Sequence, residues 1–217
     1  MTRMPNLNFS QQDDLFHSSY ARPVTLIGAG SVGSQIARML AKIGVRDLTV
    51  YDEDTIESHN IPPSAYQIAD LGMTKVEALR TLLEKESGLA LKPIPRMYEG
   101  ERLTSSVIAS VDTMEARQCI WNEVKGNPLV DIYIDTRLSA ELISVFAISP
   151  CNSEDIAYYE HFLYPTSETL RPLCGEHTIV YVSSAAAVFA CANLTSWWQF
   201  GRKKLHCKML VGALEMC

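Results

Sequence analysis

An apolar, β-branched run, Pro23-Val24-Thr25-Leu26-Ile27, passes directly into Gly28-Ala29-Gly30-Ser31-Val32-Gly33, and this junction narrows what the chain can fold into. A short run of that kind predicts a buried strand. The amphipathic spacing from Ser31 to Ile43 predicts a helix closed by Gly44, and Asp47 to Tyr51 predicts a second strand. Strand, glycine loop, helix and strand in this order open a doubly wound, mainly parallel α/β sheet of the Rossmann-like kind.

The rest of the sequence extends that pattern. A helix is expected from near Thr74 through Lys75, Ala78, Leu79, Leu82 and Leu83, and another over Thr113 to Val124. Strands are expected at Ala90 to Pro95, Val107 to Val111, Leu129 to Asp135 and Glu141 to Ile148. Residues 150–174 read as an irregular crossover loop, followed by a strand at Thr178 to Val182 and a buried C-terminal helix from Ser184 to Phe200. With no repeat and no Gly/Ser linker, residues 1–217 are expected to form one unit, residues 1–20 being an N-terminal extension. The uncharged stretch Thr178 to Gly201, with Trp197-Trp198 ahead of Arg202-Lys203-Lys204, also has the length and flanks of a membrane span. Its Ser, Asn, Thr, Gln and many Ala residues favour a helix buried in protein, and a membrane is the less expected partner. The two tryptophans suggest a subunit contact, hence a homodimer.

Of the 217 residues 47% are apolar and 20% charged, the balance of a soluble globular protein. A net charge of −6 disfavours broad attachment to nucleic acid or an anionic membrane. The six cysteines are scattered with no Cys-x-x-Cys pair, which favours free thiols in a reducing cytoplasm and argues against a zinc ribbon. Zinc held by distant cysteines stays open. His59, His161 and His206 lack metal-ligand spacing.

Gly28, Gly30 and Gly33 satisfy G-x-G-x-x-G directly after a strand and at a helix start, the context in which backbone N–H groups receive phosphate. Asp52, closing the second strand, is placed to accept from a ribose hydroxyl. An amide at Asn60 suits a ribose or phosphate oxygen, and Lys75 at a helix start can reach phosphates. The loop alone does not separate a nicotinamide dinucleotide from ATP. The ordered set does: the glycine loop, Asp52-x-Asp54, Asn60, Asp70-Leu71-Gly72-x-x-Lys75-Val76-Glu77-Ala78 and Val111-Asp112-Thr-Met-Glu-Ala-Arg117. Over residues 20 to 150 the sequence resembles the ThiF/MoeB/ubiquitin-activating-enzyme superfamily, which adenylates the C-terminal carboxylate of a ubiquitin-like protein or peptide. The resemblance implies that Gly28, Gly30 and Gly33 hold ATP phosphates, that Asp52 binds ribose, and that Asp54 and Asn60 line the phosphate region. It further implies that Lys75 neutralises the triphosphate and that Asp112 holds Mg²⁺. For Asp112, capping of the Thr113 helix is the competing reading, and Asp70 has a similar one at the turn that follows it.

The pattern breaks at Asn60-Ile61-Pro62-Pro63-Ser64, where the family usually carries an Arg-Gln pair; its arginine position holds Pro63. The family's N-terminal Arg-x-x-Arg-Gln is also missing. Arg38 and Arg137 are the candidate replacement cations. Cys174, beside Arg171 and His177, occupies the region where some relatives form a thioester or persulfide, although an ordinary buried cysteine fits it too. Cys119 and Cys191 read as core, and Tyr158 to Phe162 as loop packing. Two further functions follow from these departures: a non-catalytic ATP-binding scaffold or sensor and, with least support, an NAD-dependent oxidoreductase.

Overall fold

The computed structural model describes residues 7–139, 141–164, 178–212 and 215–216. In chain order the main elements are β1 (Val24–Ile27), α1 (Ser31–Ile43), β2 (Leu48–Tyr51), α2 (Lys75–Ser87), β3 (Lys92–Ile94), β4 (Ser105–Ala109) and α3 (Met114–Val124). They continue with β5 (Val130–Ser139), β6 (Leu142–Ile148), α4 (Ser153–Glu160), α5 (Val180–Phe200), β7 (His206–Leu210) and β8 (Glu215–Met216). The strands form one sheet in the order β3-β2-β1-β4-β5-β6-β7-β8. Pairing is parallel from β3 to β5 and antiparallel from β5 to β8. The winding reverses between β1 and β4, which opens a crevice beyond their carboxyl ends.

Alternation along the central strands sends side chains to two cores. Leu26, Val50, Ile108 and Ile132 pack under Ile36 and Leu40 of α1, Leu79 and Leu83 of α2, and Ala186 and Leu194 of α5. Val107, Ala109, Tyr133 and Phe146 pack on the other face against Ile120 and Trp121 of α3 and Tyr159 of α4. Helix α1 ends where Gly44 turns left-handed at φ 102°, its N–H reaching the Ala41 and Leu40 carbonyls.

Several boundaries depart from the sequence expectation. The strand expected at Thr178 to Val182 is absent, and helix α5 already starts at Val180. The reason is tertiary: Val182, Ala186, Ala187, Ala190 and Leu194 recur at helical spacing against the core, overriding the β-branched letters. Within residues 150–174 lies helix α4, opened by Asn152, whose side-chain oxygen accepts the N–H groups of Glu154 and Asp155. Strand β4 ends at Ala109, two residues before the expected Val111, and β7 and β8 have no counterpart in the sequence reading. The N-terminal extension contributes Phe16 to the core.

Trp198 is also internal, 4% exposed, and its indole N–H donates to Ser106 Oγ at 2.9 Å. Trp198 is thus spent on the core and offers no surface to a second subunit, whereas Trp197 is only partly buried against the same core. By length and composition α5 is long and apolar enough to cross a membrane, with 44% of its most apolar window buried inside the protein. It packs against α1, β5 and β6.

Candidate functional site

The glycines divide their work. A Cβ on Gly28, whose φ is 94°, would strike the Ser110 carbonyl, and one on Gly33 would strike the Gly28 carbonyl. These two let β1, α1 and the end of β4 close on one another. A Cβ on Gly30 would meet nothing within 4 Å. Gly30 is the N-cap of α1 and brings no side-chain cap, so the first N–H groups of the helix open onto that space. An uncapped helix start with an open approach is the geometry of a phosphate cradle.

Asp52 fastens the cradle to the second strand. Its Oδ2 accepts the Ala29 N–H at 2.7 Å and its Oδ1 the Asp54 N–H at 3.0 Å. Burial pushes its pKa above the ordinary carboxylate value, against the opposing pull of Lys75 and of those N–H groups. The Lys75 ammonium, at the first residue of α2, lies 2.6 Å from Asp54 Oδ2 and 3.8 Å from Asp52 Oδ1. Tyr66, unsignalled in the sequence beyond being a lone aromatic in an irregular stretch, donates its hydroxyl proton to the Ala29 carbonyl at 2.6 Å. The adjacent Ala65 N–H donates to Ser34 Oγ at 3.1 Å, which ties the loop to α1. Asn60 spends its side-chain oxygen on the Glu57 N–H at 2.8 Å, leaving its NH₂ group directed elsewhere.

Asp112 is exposed, three residues beyond the end of β4. It does not cap α3: Thr113 does, accepting the Ala116 N–H at 3.2 Å. Among the described residues no cluster of three or more His, Cys, Asp or Glu side chains could hold a metal ion. A lone exposed carboxylate fits Mg²⁺, which is commonly held by one or two carboxylates together with substrate phosphates. Asp70 accepts the Gln67 N–H at 2.8 Å and so stabilises the turn before it rather than the one after.

The two candidate arginines separate clearly. Arg38 makes a bidentate pair with Glu86, at 2.8 and 2.7 Å, near the far end of α2 and takes no part in the site. Arg137 stands at the sheet's carboxyl end. It is paired through Nε to Asp135 Oδ2 at 2.6 Å, and Asp135 Oδ1 accepts from Arg117 Nε at 3.0 Å. Tyr159 donates to the same carboxylate at 2.9 Å. Burial alone would raise the Asp135 pKa; Arg137, Arg117 and Tyr159 outweigh it and hold the carboxyl below its ordinary value. Asp135 is not among the sequence-predicted site residues, although a carboxylate directly after the apolar run Ile132-Tyr133-Ile134 is itself a signal for buried partners.

At Pro63 the structure supplies a contact instead of a charge: its carbonyl accepts from Ser183 Oγ at 2.6 Å, joining the loop to α5. Cys174, with Arg171 and His177, lies outside the described residues. Cys119, Cys151, Cys191 and Cys207 are free thiols. Cys191 is buried, its pKa pushed up to about 12, and it is chemically inert core. Cys119 is only partly buried, on the α3 surface.

Residues 2–127 match the ThiF family. The chain belongs to the ThiF family. Among curated proteins it is 29% identical over 144 residues to ubiquitin-like modifier-activating enzyme 5 of Arabidopsis thaliana, covering 56% of this chain and 33% of that protein. It is 31% identical over 116 residues to the NEDD8-activating enzyme E1 catalytic subunit of the same plant, covering 50% and 25%. The chain thus spans about a third or less of these relatives. Among solved structures, Escherichia coli MccB with ATP superposes with a TM-score of 0.71 at 16% identity, over 92% of this chain and 64% of MccB. PaaA superposes with a TM-score of 0.71 at 15% identity and the same coverage. At these identities the superpositions establish a shared fold.

Proposed function

We propose that this chain is an ATP-dependent adenylyltransferase that activates the C-terminal carboxylate of a ubiquitin-like protein or peptide. The observation that carries the reading is the Asp52 carboxylate. It holds the glycine loop through the Ala29 N–H and lies 3.8 Å from the Lys75 ammonium, joining three separate sequence motifs in one site. Helix α1 and the opening at Gly30 receive phosphate, Asp52 orients the ribose, and the Asn60 NH₂ group and Lys75 face phosphate oxygens. Asp112 would hold Mg²⁺, which supplies positive charge against the phosphates and the pyrophosphate leaving group. The acceptor needs no base, because a C-terminal carboxylate is ionised at neutral pH. One carboxylate oxygen attacks the α-phosphorus, the bond from that phosphorus to the bridging β-oxygen breaks, and pyrophosphate departs with that electron pair. The relatives named as activating enzymes, and MccB solved with ATP, support this chemistry.

Pro63 favours a second reading, in which the same pocket binds ATP without turning it over. A reducing, cytoplasmic setting is part of the proposal, resting on six scattered cysteines with no Cys-x-x-Cys pair. Pairing with a second copy of the chain would use surfaces other than Trp198. Incubation with ATP, Mg²⁺, labelled pyrophosphate and candidate acceptors tests the function: acceptor-dependent exchange of label into ATP is expected. ATP binding without exchange for any acceptor would select the second reading. Uptake of NAD with no response to ATP would overturn both.

A further inference from the structure

A net positive charge is buried at the carboxyl end of the sheet, and the adenylation reading does not yet use it. Arg117, Asp135 and Arg137 have side-chain exposures of 3%, 0% and 11%, so two guanidinium groups share one carboxylate. Among the described residues their other partners are neutral. Arg117 donates to the carbonyls of Thr113, Val111 and Thr136, while Arg137 donates to the Phe162 carbonyl at 2.7 Å and to Tyr159 Oη at 3.3 Å. A buried charge without a counter-ion is costly, and a site that keeps one is prepared for an anion.

The fold sets this charge beside the cradle. Ile27, Ala109 and Asp135 share one register across β1, β4 and β5, so Gly28, Val111 and Arg137 all emerge at the same end. Gly28 packs on Ser110, Arg117 grips the Val111 carbonyl next to Asp112, and Asp135 links Arg117 to Arg137. Strands β1 and β5 are two spacings apart, about 10 Å. The nucleotide's ribose is assigned to the β2 side at Asp52, which leaves the β5 side for the group that attacks. Of the two arginines, Arg117 has four of its five N–H groups engaged and Arg137 three. Arg137 also lies over the rings of Phe146 and Tyr159, at 4.8 and 5.5 Å, which fixes the plane of its guanidinium.

We infer that Arg137 is the acyl-side cation of the site, receiving the acceptor carboxylate and then the carbonyl oxygen of the acyl-adenylate. It restores, from the opposite flank, the positive charge that Pro63 removes. Asp135 and Arg117 are positioning residues. The inference rests on the adenylation reading and narrows it: the charge at this position draws in the acceptor and leaves ATP affinity to the cradle.

The test compares two unreactive adenosine derivatives, sulfamoyladenosine and glycyl-sulfamoyladenosine, which differ only in the acyl group, with Mg·ATP as the third ligand. Wild type should prefer the glycyl compound at least tenfold by calorimetry. Arg137→Gln should lose that preference while its affinity for Mg·ATP stays within about twofold. Arg137→Lys, which keeps a cation against Asp135 and so protects the fold, should retain part of it. An unchanged preference in either variant would overturn the inference. So would an equal loss of all three ligands at an unchanged melting temperature. Wild-type protein that binds ATP but shows no acyl preference would sink this inference alone; wild type that binds no ATP would sink the adenylation reading beneath it.

Discussion

Lys75 Nζ lies 2.6 Å from Asp54 Oδ2, and the pair is lopsided: the lysine side chain is 9% exposed and the aspartate 61%. The ammonium is thus stored inside the site against a carboxylate that can swing into water. Arriving phosphates can take over the lysine without leaving the aspartate desolvated. Lys75→Gln is expected to weaken ATP binding at least tenfold, the loss of about 1.5–3 kcal/mol typical of a hydrogen bond to a charged group. Asp54→Asn should weaken it far less; calorimetric titration of both variants checks this.

The three cradle glycines should respond differently to one added methyl group. Gly28→Ala meets the Ser110 carbonyl at φ 94° and Gly33→Ala meets the Gly28 carbonyl, so each should destabilise the fold by about 2 kcal/mol or more. Gly30→Ala has φ −71° and free space, so its stability should stay within about 0.5 kcal/mol while phosphate access is blocked. Urea denaturation set beside ATP titration separates the two effects.

That contrast shows what the sequence could and could not convey. G-x-G-x-x-G after a β-branched run located α1 to the residue, because strand, cradle and helix are local features. The same letters could not say that Gly30 faces open space while Gly28 and Gly33 face backbone, since those contacts come from Ser110 and from the loop's own fold. The start of helix α5 departs from the expectation because Val180-Tyr181-Val182 have strand propensity and only the core decides otherwise. Asp52 and Lys75 were legible by motif order. Tyr66 and the Arg117–Asp135 pair were not, being pairings across 37 and 18 residues that exist only once the fold is closed.

Removing Asp135 should be expensive. Asp135→Ala leaves Arg117 and Arg137 facing each other in the interior, a loss of about 3–5 kcal/mol for breaking a buried ion pair. Because its pKa is lowered on folding, the stabilisation is present above the ordinary carboxylate value of 3.8 and is lost as pH falls through the lower folded value. Urea midpoints for wild type and variant should therefore converge only at strongly acid pH.

His206 predicts a milder acid response. It stacks on Phe146 with ring centroids 3.9 Å apart and bonds Ser144 Oγ at 2.6 Å and Tyr158 Oη at 2.9 Å. Burial, then Lys208 and Arg137, bring its pKa from 6.5 down to about 4, with Asp135 opposing. The unfolded chain binds that proton first, so this contribution is complete above about pH 6.5 and declines as pH falls toward 4. In His206→Gln the decline in melting temperature over that interval should be shallower than in wild type.

The central claim is that the cradle between β1 and α1 is built for a triphosphate. Calorimetric titration of the purified chain with Mg·ATP and, separately, with NAD tests it most directly. One Mg·ATP bound per chain, abolished by Gly30→Ala, and no measurable heat from NAD are expected. Saturable NAD binding with no ATP binding, or ATP binding indifferent to Gly30→Ala, would contradict it.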